Sequence, residues 1–540
     1  MAVLILLFGV CQDPGGIWMQ KWRIDGSNQA DGLDGSVAGI ADVDGDGHSD
    51  AITGVEGLDL LFSSEGGARL YSGATGGLVH EWNGTVVQGH FGNDVASIPD
   101  LDGDGFEDVL IAAINETTFV DREGAVHVMS GQTGAQLHWI PGTEVAAEFG
   151  RFVACAGDVD GDGTADILIG APGSDFFIPG FGATFVYSGR TMQRILAVGG
   201  LGTTVGRDGV GLDDVNGDGL SDLLVSESTN QGTVRVYSGA DGSEIYSINR
   251  GIFDAAFGYS VGNVGDIDRD GASDFIVGEP GIASYTRKGR ALVYSGRSGA
   301  ELFRLWGDQE EDKFGFSVAG AGDADGDGYP DMLVGAEDTG PAGQGAVFVH
   351  SGFDGRLLGR IVATLTSERL GWSVASTPDV DGDGLPDIVA GAPFASYGAP
   401  TSGSVYVVIL QSYLEAEPRS VSAAAGGTVA FTLDFPDSEG GKLWRLLASN
   451  DRPGRTTAVG VSVPLTISPV LDQMLHDPPP VFSATTGVLD ANGDATATMT
   501  LAPGQAAGLV GTTLRFAAIS LDAPKDPRLS STGVRITVLP

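Results

Sequence analysis

Short apolar runs closed off by glycine, serine or aspartate recur along most of the chain. DILIGAP from Asp166, DFIVGEP from Asp274 and DIVAGAP from Asp387 are three versions of one such run. Runs this brief between turn residues suit strands buried on both faces and are too short for helices. Each keeps the same company. A strand-like stretch such as SVAGAGD from Ser317 precedes it. A β-rich segment ending in a serine–glycine turn follows, as in VYSGRSG from Val293, and then an apolar stretch such as AELFRLW from Ala300. Four strand candidates therefore repeat together.

The repeat is marked by a nine-residue string found seven times, from Asp42, Asp100, Asp158, Asp214, Asp266, Asp323 and Asp379, at spacings of 58, 58, 56, 52, 57 and 56 residues. Four strands in roughly 56 residues is the size of one propeller blade. A lone blade cannot cover its own faces and must stack on neighbours. The chain is thus expected to be all-β, a seven-bladed β-propeller, with an open solenoid as the alternative. Closure favours the ring. The last unit offers three strands, ending with SVYVVIL from Ser404, and the fourth is found at the other end of the chain. There, Gly15-Gly16-Ile17 leading to Trp22 resembles Gly76-Gly77-Leu78 leading to Trp82.

The string reads D-x-[DN]-x-D-G-x-x-D. Calcium takes about six to eight oxygens in flexible geometry, and alternate acidic positions in a tight glycine-containing loop supply them. Side chains at positions one, three, five and nine and the carbonyl at seven are the expected ligands. They are Asp42, Asp44, Asp46, His48 and Asp50; Asp100, Asp102, Asp104, Phe106 and Asp108; and Asp158, Asp160, Asp162, Thr164 and Asp166. They continue with Asp214, Asn216, Asp218, Leu220 and Asp222; Asp266, Asp268, Asp270, Ala272 and Asp274; Asp323, Asp325, Asp327, Tyr329 and Asp331; and Asp379, Asp381, Asp383, Leu385 and Asp387. An EF-hand would need Glu at position twelve and flanking helices. The twelfth residues here are Thr53, Ile111, Ile169, Val225, Val277, Val334 and Ala390, and a strand follows each. Up to seven structural Ca²⁺ ions are expected. Asn216 removes a charge from the fourth loop and Arg269 adds a cation to the fifth, so both should bind more weakly.

The string's flanks carry a resemblance. An apolar–glycine pair precedes it, as in Phe149-Gly150, and Gly170-Ala171-Pro172 follows it. This order resembles the FG-GAP repeat family, the β-propeller of integrin α-subunit N-termini and of many bacterial surface proteins, over about residues 17–410. The resemblance implies structural metals that hold the loop between the first two strands of each blade. The Phe-Gly pairs are eroded in units one and four, and Gly-Ala-Pro is lost in units one, two and four.

Charge fits that picture. The 540 residues hold 71 acidic and 29 basic side chains, a formal charge of −42, and the 27 loop carboxylates account for all but −15 of it. Such a balance argues against nucleic acid or an anionic membrane as partner. No apolar run reaches the ~20 residues of a membrane span. Glycine, at 86 residues, has no three-residue period, and 42% apolar content is enough for a core.

A partner is expected on the face opposite the calcium loops, where the connections vary most. Aromatics gather there at Phe62, Phe119, Phe176, Phe177, Phe181, Tyr285, Phe394 and Tyr397. The expected role is a non-catalytic adhesion or recognition module for protein or glycan, monomeric and exported to the cell surface or beyond. The alternative is a polysaccharide-active lyase or hydrolase on the same scaffold, since a cleft can gather carboxylates from several blades. No residue set forms a triad: His80, His127, His138 and His350 fall at positions that vary between repeats. Neither Cys11 nor Cys155 has zinc-ligand spacing.

The expected domains are 1–16, an export signal or extension; 17–410, the propeller with an N-terminal strand closing its last blade; 411–420, a linker; and 421–540, a small β-sandwich of unassigned role. In that last region TVAFTLDF from Thr428 and ATATMTL from Ala495 alternate as strands, and DANGD from Asp490 reads as a hairpin turn.

Overall fold

The computed structural model describes residues 12–13, 16–26, 33–55, 57, 65–117, 122–178, 180–199, 205–227, 232–250, 256–281, 288–397, 402–412 and stretches between 414 and 539. The export-signal reading of residues 1–10 lies outside them. Two compact units are present, the larger made of Gln20–Gly322 and Pro330–Ile409 and the smaller mainly of Leu410–Pro540.

The larger unit is a seven-bladed β-propeller. Blade 1 runs through Leu33–Ile40, Asp50–Val55, Gly67–Tyr71 and Leu78–Asn83, each strand antiparallel to the next. Blades 2 to 6 repeat that order, beginning at Phe91, Val153, Val205, Val261 and Phe314. Every residue of the second strand is buried in all seven blades, which is why this strand has the most uniformly apolar sequence. The cores lie between blades. Ile52 and Leu70 of blade 1 join Val95, Val109 and Ile111 of blade 2 in one cluster, and Val380, Val389 and Val407 of blade 7 join Val37 and Tyr71 of blade 1 in another.

Blade 7 takes three strands from one end of the chain, Val374–Thr377, Asp387–Ala392 and Ser404–Ser412, and its fourth, Gly16–Asp25, from the other. Gln12–Asp13 pairs with the start of that fourth strand. The seam is also tied outside the ladder. Gly26 N–H donates to the Gly403 carbonyl at 3.0 Å, Ser404 Oγ to Asp25 at 2.7 Å, and the buried Trp22 indole to the Gly73 carbonyl of blade 1 at 2.7 Å. Lys21 Nζ donates to the Val380 carbonyl.

Glycines set how closely blades approach. Gly92 sits at φ +82°, and a Cβ there would lie 1.9 Å from the Gly67 carbonyl oxygen. The glycine ending the second strand meets the next blade's apolar–glycine pair: a Cβ on Gly54 would lie 2.0 Å from Gly92 O, and one on Gly335 2.1 Å from Gly371 O. At these two boundaries the glycines of the repeat pack directly on each other, whereas blades 2 and 4 place Ala112 and Ser226 against Gly150 and Gly258.

The smaller unit has two main sheets. One contains Leu414–Glu417, Gly427–Asp434 and Asp494–Leu501. The other contains Ser420–Ser422, Val534–Leu539, Thr513–Ala523, Leu443–Ser449 and Thr486–Val488. Phe431 and Met499 from the first and Trp444, Phe516 and Ile536 from the second share one buried cluster. One expectation differs here. Residues 411–420 carry strand rather than linker, because Leu414–Glu417 pairs with Gly427–Asp434. The centre of the DANGD segment, 491–493, lies outside the described residues; at its ends Asp490 N–H donates to the Asp494 carbonyl at 2.9 Å and Asp494 N–H to the Asp490 carboxylate at 3.0 Å.

Candidate metal loops and the opposite face

Each nine-residue string joins the first strand of a blade to the second. In loops one, two, three and five the carboxylate oxygens of the first, third and ninth positions lie within 4.8 Å of one another: Asp42, Asp44, Asp50; Asp100, Asp102, Asp108; Asp158, Asp160, Asp166; and Asp266, Asp268, Asp274. Their positions are set by backbone amides. Asp42 accepts from Gly45 and Gly47 at 2.7 and 2.8 Å, Asp44 from Asp46 at 3.1 Å, and Asp46 from His48 at 3.0 Å. Loops six and seven keep these bonds, as in Gly328 to Asp323 at 2.8 Å and Gly384 to Asp379 at 2.8 Å.

The ninth aspartate has a second task that the string alone does not reveal. Asp50 accepts from Val43 within its loop at 3.0 Å and from Gly73, in the serine–glycine turn between strands three and four, at 2.9 Å. The turn bond recurs from Gly131, Gly189, Gly239, Gly296 and Gly352. Loop and turn therefore share one face. Burial pushes Asp50, Asp108, Asp166 and Asp274 up to about 6, and in each the neighbouring loop carboxylates add to the rise.

The donor set fits a hard divalent cation. The loops converge oxygen ligands only, and Asp104 Oδ2 is shielded from solvent with no hydrogen-bond partner. Loop four is different. Asn216 Nδ2 donates to Asp218 at 2.9 Å, to Asp222 at 3.2 Å and to Ser238 at 3.2 Å, so an amide stands between the carboxylates where a cation would. In loop five Arg269 adopts φ +62°, a conformation held by glycine at the same position of the other loops, and this is strained for a residue with a Cβ. Arginines that the sequence reading overlooked come from the adjacent turns: Arg190 Nε lies 3.2 Å from Asp162 and Arg297 Nε 3.5 Å from Asp270.

The FG-GAP repeat family model matches residues 314–350 and 370–408, and the FG-GAP-like repeat model matches residues 100–169 and 214–277. These are FG-GAP repeats. The chain is similar to integrin alpha-5 of Xenopus laevis (29% identity over 229 residues, 38% of this chain and 21% of the relative). It is similar also to integrin alpha-IIb of Homo sapiens (36% over 160 residues, 26% and 15%) and integrin alpha-4 of Xenopus laevis (27% over 291 residues, 49% and 27%). The matched region spans between 15% and 27% of the length of these relatives.

Successive FG-GAP repeats are linked loop to loop through position eight of the string. Ser49 N–H donates to the Asp379 carbonyl at 2.8 Å, Ser221 N–H to the Asp158 carbonyl at 3.1 Å, and Ala41 N–H to the Glu107 carboxylate at 3.0 Å. Ser273 Oγ donates to Asp213. At the other end of the first strands a second set of bonds runs from blade to blade. The amides of Val95, Val153, Val261 and Val318 donate to Ser36 Oγ, Asp94, Asp208 and Ser260 Oγ of the preceding blade at 3.2, 2.8, 2.8 and 3.3 Å. Asp94, Asp208 and Ser260 each lie two residues beyond the glycine of their apolar–glycine pair, a position that has no meaning within one blade.

Burial pushes Asp208 up to about 6, with the Asp94 charge adding to the rise, and pushes Asp94 upward, with Arg151 favouring its ionised form. The folded state then holds a proton that the unfolded chain releases near pH 4, so stability present below that pH is lost as pH rises through about 6. Asp208→Asn keeps an acceptor for Val261. It should raise stability at pH 7 by about 1 kcal/mol and flatten the pH dependence between 4 and 6, as read by urea denaturation.

On the face opposite the metal loops, the segment between Asp166–Ala171 and Ala183–Tyr187 is fixed by its own bonds. Ser174 Oγ and Asp175 N–H donate to Glu144 at 3.0 and 2.7 Å, and Gly180 N–H to Asp175 at 2.7 Å. Phe176, Phe177 and Ile178 remain exposed at its tip, and Phe181 is half-buried. Phe394 is exposed too, under Arg369. Tyr397 is half-buried, its hydroxyl donating to Glu368 at 2.9 Å and its ring under the Arg23 guanidinium at 3.4 Å, an arrangement that ties the seam. Phe62, Phe119 and Tyr285 lie outside the described residues.

Proposed function

We propose that this chain is a calcium-binding propeller, exported to the cell surface or beyond, that recognises a protein or glycan ligand without catalysis and acts as a monomer. The observation that carries the reading is the hydrogen-bonded loop presenting Phe176, Phe177 and Ile178 away from the metal loops. Exposed apolar side chains on a pre-ordered backbone are what a binding surface needs, because little ordering entropy is lost on contact. Kinship with integrin alpha subunits supports an adhesion or recognition role. Export is supported by loops of a kind filled at extracellular calcium, about 10⁻⁴–10⁻³ M. Three of the described histidines are engaged within the fold, which supports a non-catalytic role: His127 pairs with Glu116, His80 contacts the Gln132 carbonyl, and burial lowers His350 to about 4. The bounds 17–410 for the propeller and 421–540 for a C-terminal sandwich belong to the same proposal.

The test is an array of glycans and extracellular proteins probed with the calcium-loaded chain, with bound sugars checked for cleavage. Binding without product is expected. Phe177→Ala should weaken the hit by about tenfold or more while leaving Tm unchanged. New reducing or unsaturated sugar ends would replace this reading with the enzymatic one.

A further inference from the structure

The first strands of the seven blades frame the mouth of the central channel, a cavity of about 440 Å³ on the face away from the metal loops. The residue after each FG glycine lines it, and the character of that residue divides the ring in two. Blades 5, 6 and 7 supply Tyr259, Phe316 and Trp372, whose rings contact one another with centroids 4.8 and 4.9 Å apart. Blades 3 and 4 supply Arg151 and Arg207, and the Arg207 guanidinium lies 4.3 Å over the Tyr259 ring.

These two arginines differ from others in the propeller. Arg69 pairs with Glu81, Arg235 with Glu227 and Glu244, Arg290 with Glu279, and Arg304 with Glu301. The guanidinium groups of Arg151 and Arg207 make no hydrogen bond or close ion pair among the described residues. The carboxylates that line the same cavity, Asp94 and Asp208, are engaged by the Val153 and Val261 amides. Two guanidinium forks with free donors at one cavity call for a planar oxyanion, which an arginine can hold through two parallel bonds. The aromatic arc beside them calls for a flat apolar face.

We propose that the channel mouth binds a carboxylated sugar residue, a uronate, whose ring face lies on the Tyr259–Phe316–Trp372 arc and whose carboxylate is held by Arg151 and Arg207. A pyranose supplies both the C–H face and the anion in one rigid unit, whereas an Asp or Glu side chain supplies only the anion. This rests on the recognition reading above and names its ligand chemistry at a surface separate from the Phe177 loop.

The test uses the full calcium-loaded chain and isothermal titration with a tetrasaccharide of alternating glucuronate and N-acetylglucosamine. The neutral N-acetylglucosamine tetrasaccharide and an acidic hexapeptide serve as comparisons. The uronate probe should bind and the neutral one should not. Arg151→Gln with Arg207→Gln should weaken binding by about tenfold or more, as should Trp372→Ala, with Tm unchanged. If the double variant misfolds, Arg207→Lys decides, since it keeps the charge and loses the fork; severalfold weakening is expected. The proposal is overturned if the uronate probe does not bind, if the neutral sugar binds equally, if the hexapeptide is preferred, or if the arginine variants keep wild-type affinity. Loss on Phe177→Ala with no effect of the arginines would move the site to the loop and spare the recognition reading. A chain that binds nothing on the array would remove both.

Discussion

Chelation with EDTA is expected to lower the Tm of the propeller by about 10 °C, and added calcium to restore it. At ten times Kd, one bound ion adds about 1.4 kcal/mol to stability. The six loops that keep all four acidic positions would together add about 8 kcal/mol, comparable to the whole stability of many domains. Unfolding entropy near 2 cal/mol/K per residue over about 390 residues, Gln20–Ile409, converts that sum to the stated shift. The effect has a local cause. In blades 1 to 5 the ninth aspartate holds both its own loop and the serine–glycine turn, as Asp50 holds Val43 and Gly73. A cation that relieves repulsion at this carboxylate therefore stiffens two connections at once. Loop four should contribute least, because the Asn216 amide already bridges Asp218 and Asp222. Calorimetry with and without EDTA reads the result. An unchanged melt would mean that the acidic clusters stand without metal.

Trp22→Ala is expected to cost about 3–5 kcal/mol in urea denaturation, the range for truncating a buried tryptophan. The indole N–H bond to Gly73, at 2.7 Å, is lost with it. Trp82→Ala is the matched control. Trp82 is equally buried, and its indole N–H donates to Gly134 of the next blade at 2.8 Å. Blade 1 keeps its four strands on one continuous segment when that tie is cut, whereas the strand carrying Trp22 is held to Ser404–Ser412 of its own blade by non-covalent contacts alone. The Trp22 variant should therefore lose more stability than the Trp82 variant and expose its N-terminal strand to proteolysis. Equal losses would show that the blade closed by the N-terminal strand is no weaker than a blade built from one continuous segment.

The blade was legible in the sequence because its signals are local. A glycine in the left-handed region, alternating acids and a short apolar run all act within about a dozen residues. The seam was legible for a different reason, since the chain's two ends each displayed an incomplete unit of the same pattern. What stayed hidden acts between units. Ser273 reaching Asp213, Glu107 reaching Ala41 and Val153 reaching Asp94 join residues about 60 apart, and each looks like an ordinary polar position until two blades are side by side. The arginines beside Asp162 and Asp270 were missed for the same reason: they belong to a turn more than twenty residues further along the chain. On the ligand face, aromatic content alone did not separate Phe177, which is exposed, from Tyr397, whose hydroxyl and ring are engaged at the seam.

The origin of the fourth strand of blade 7 has a consequence for synthesis. Gly16–Asp25 leaves the ribosome well before its pairing partner Ser404–Ser412, which emerges nearly four hundred residues later. Through that interval the early segment carries unpaired backbone donors and acceptors, a hazard for any strand edge. Blades 1 to 6 can assemble in order as they appear, but the disc locks only when translation of the seventh is complete. A nascent chain stalled before residue 404 would be an open stack with its first strand still unpartnered.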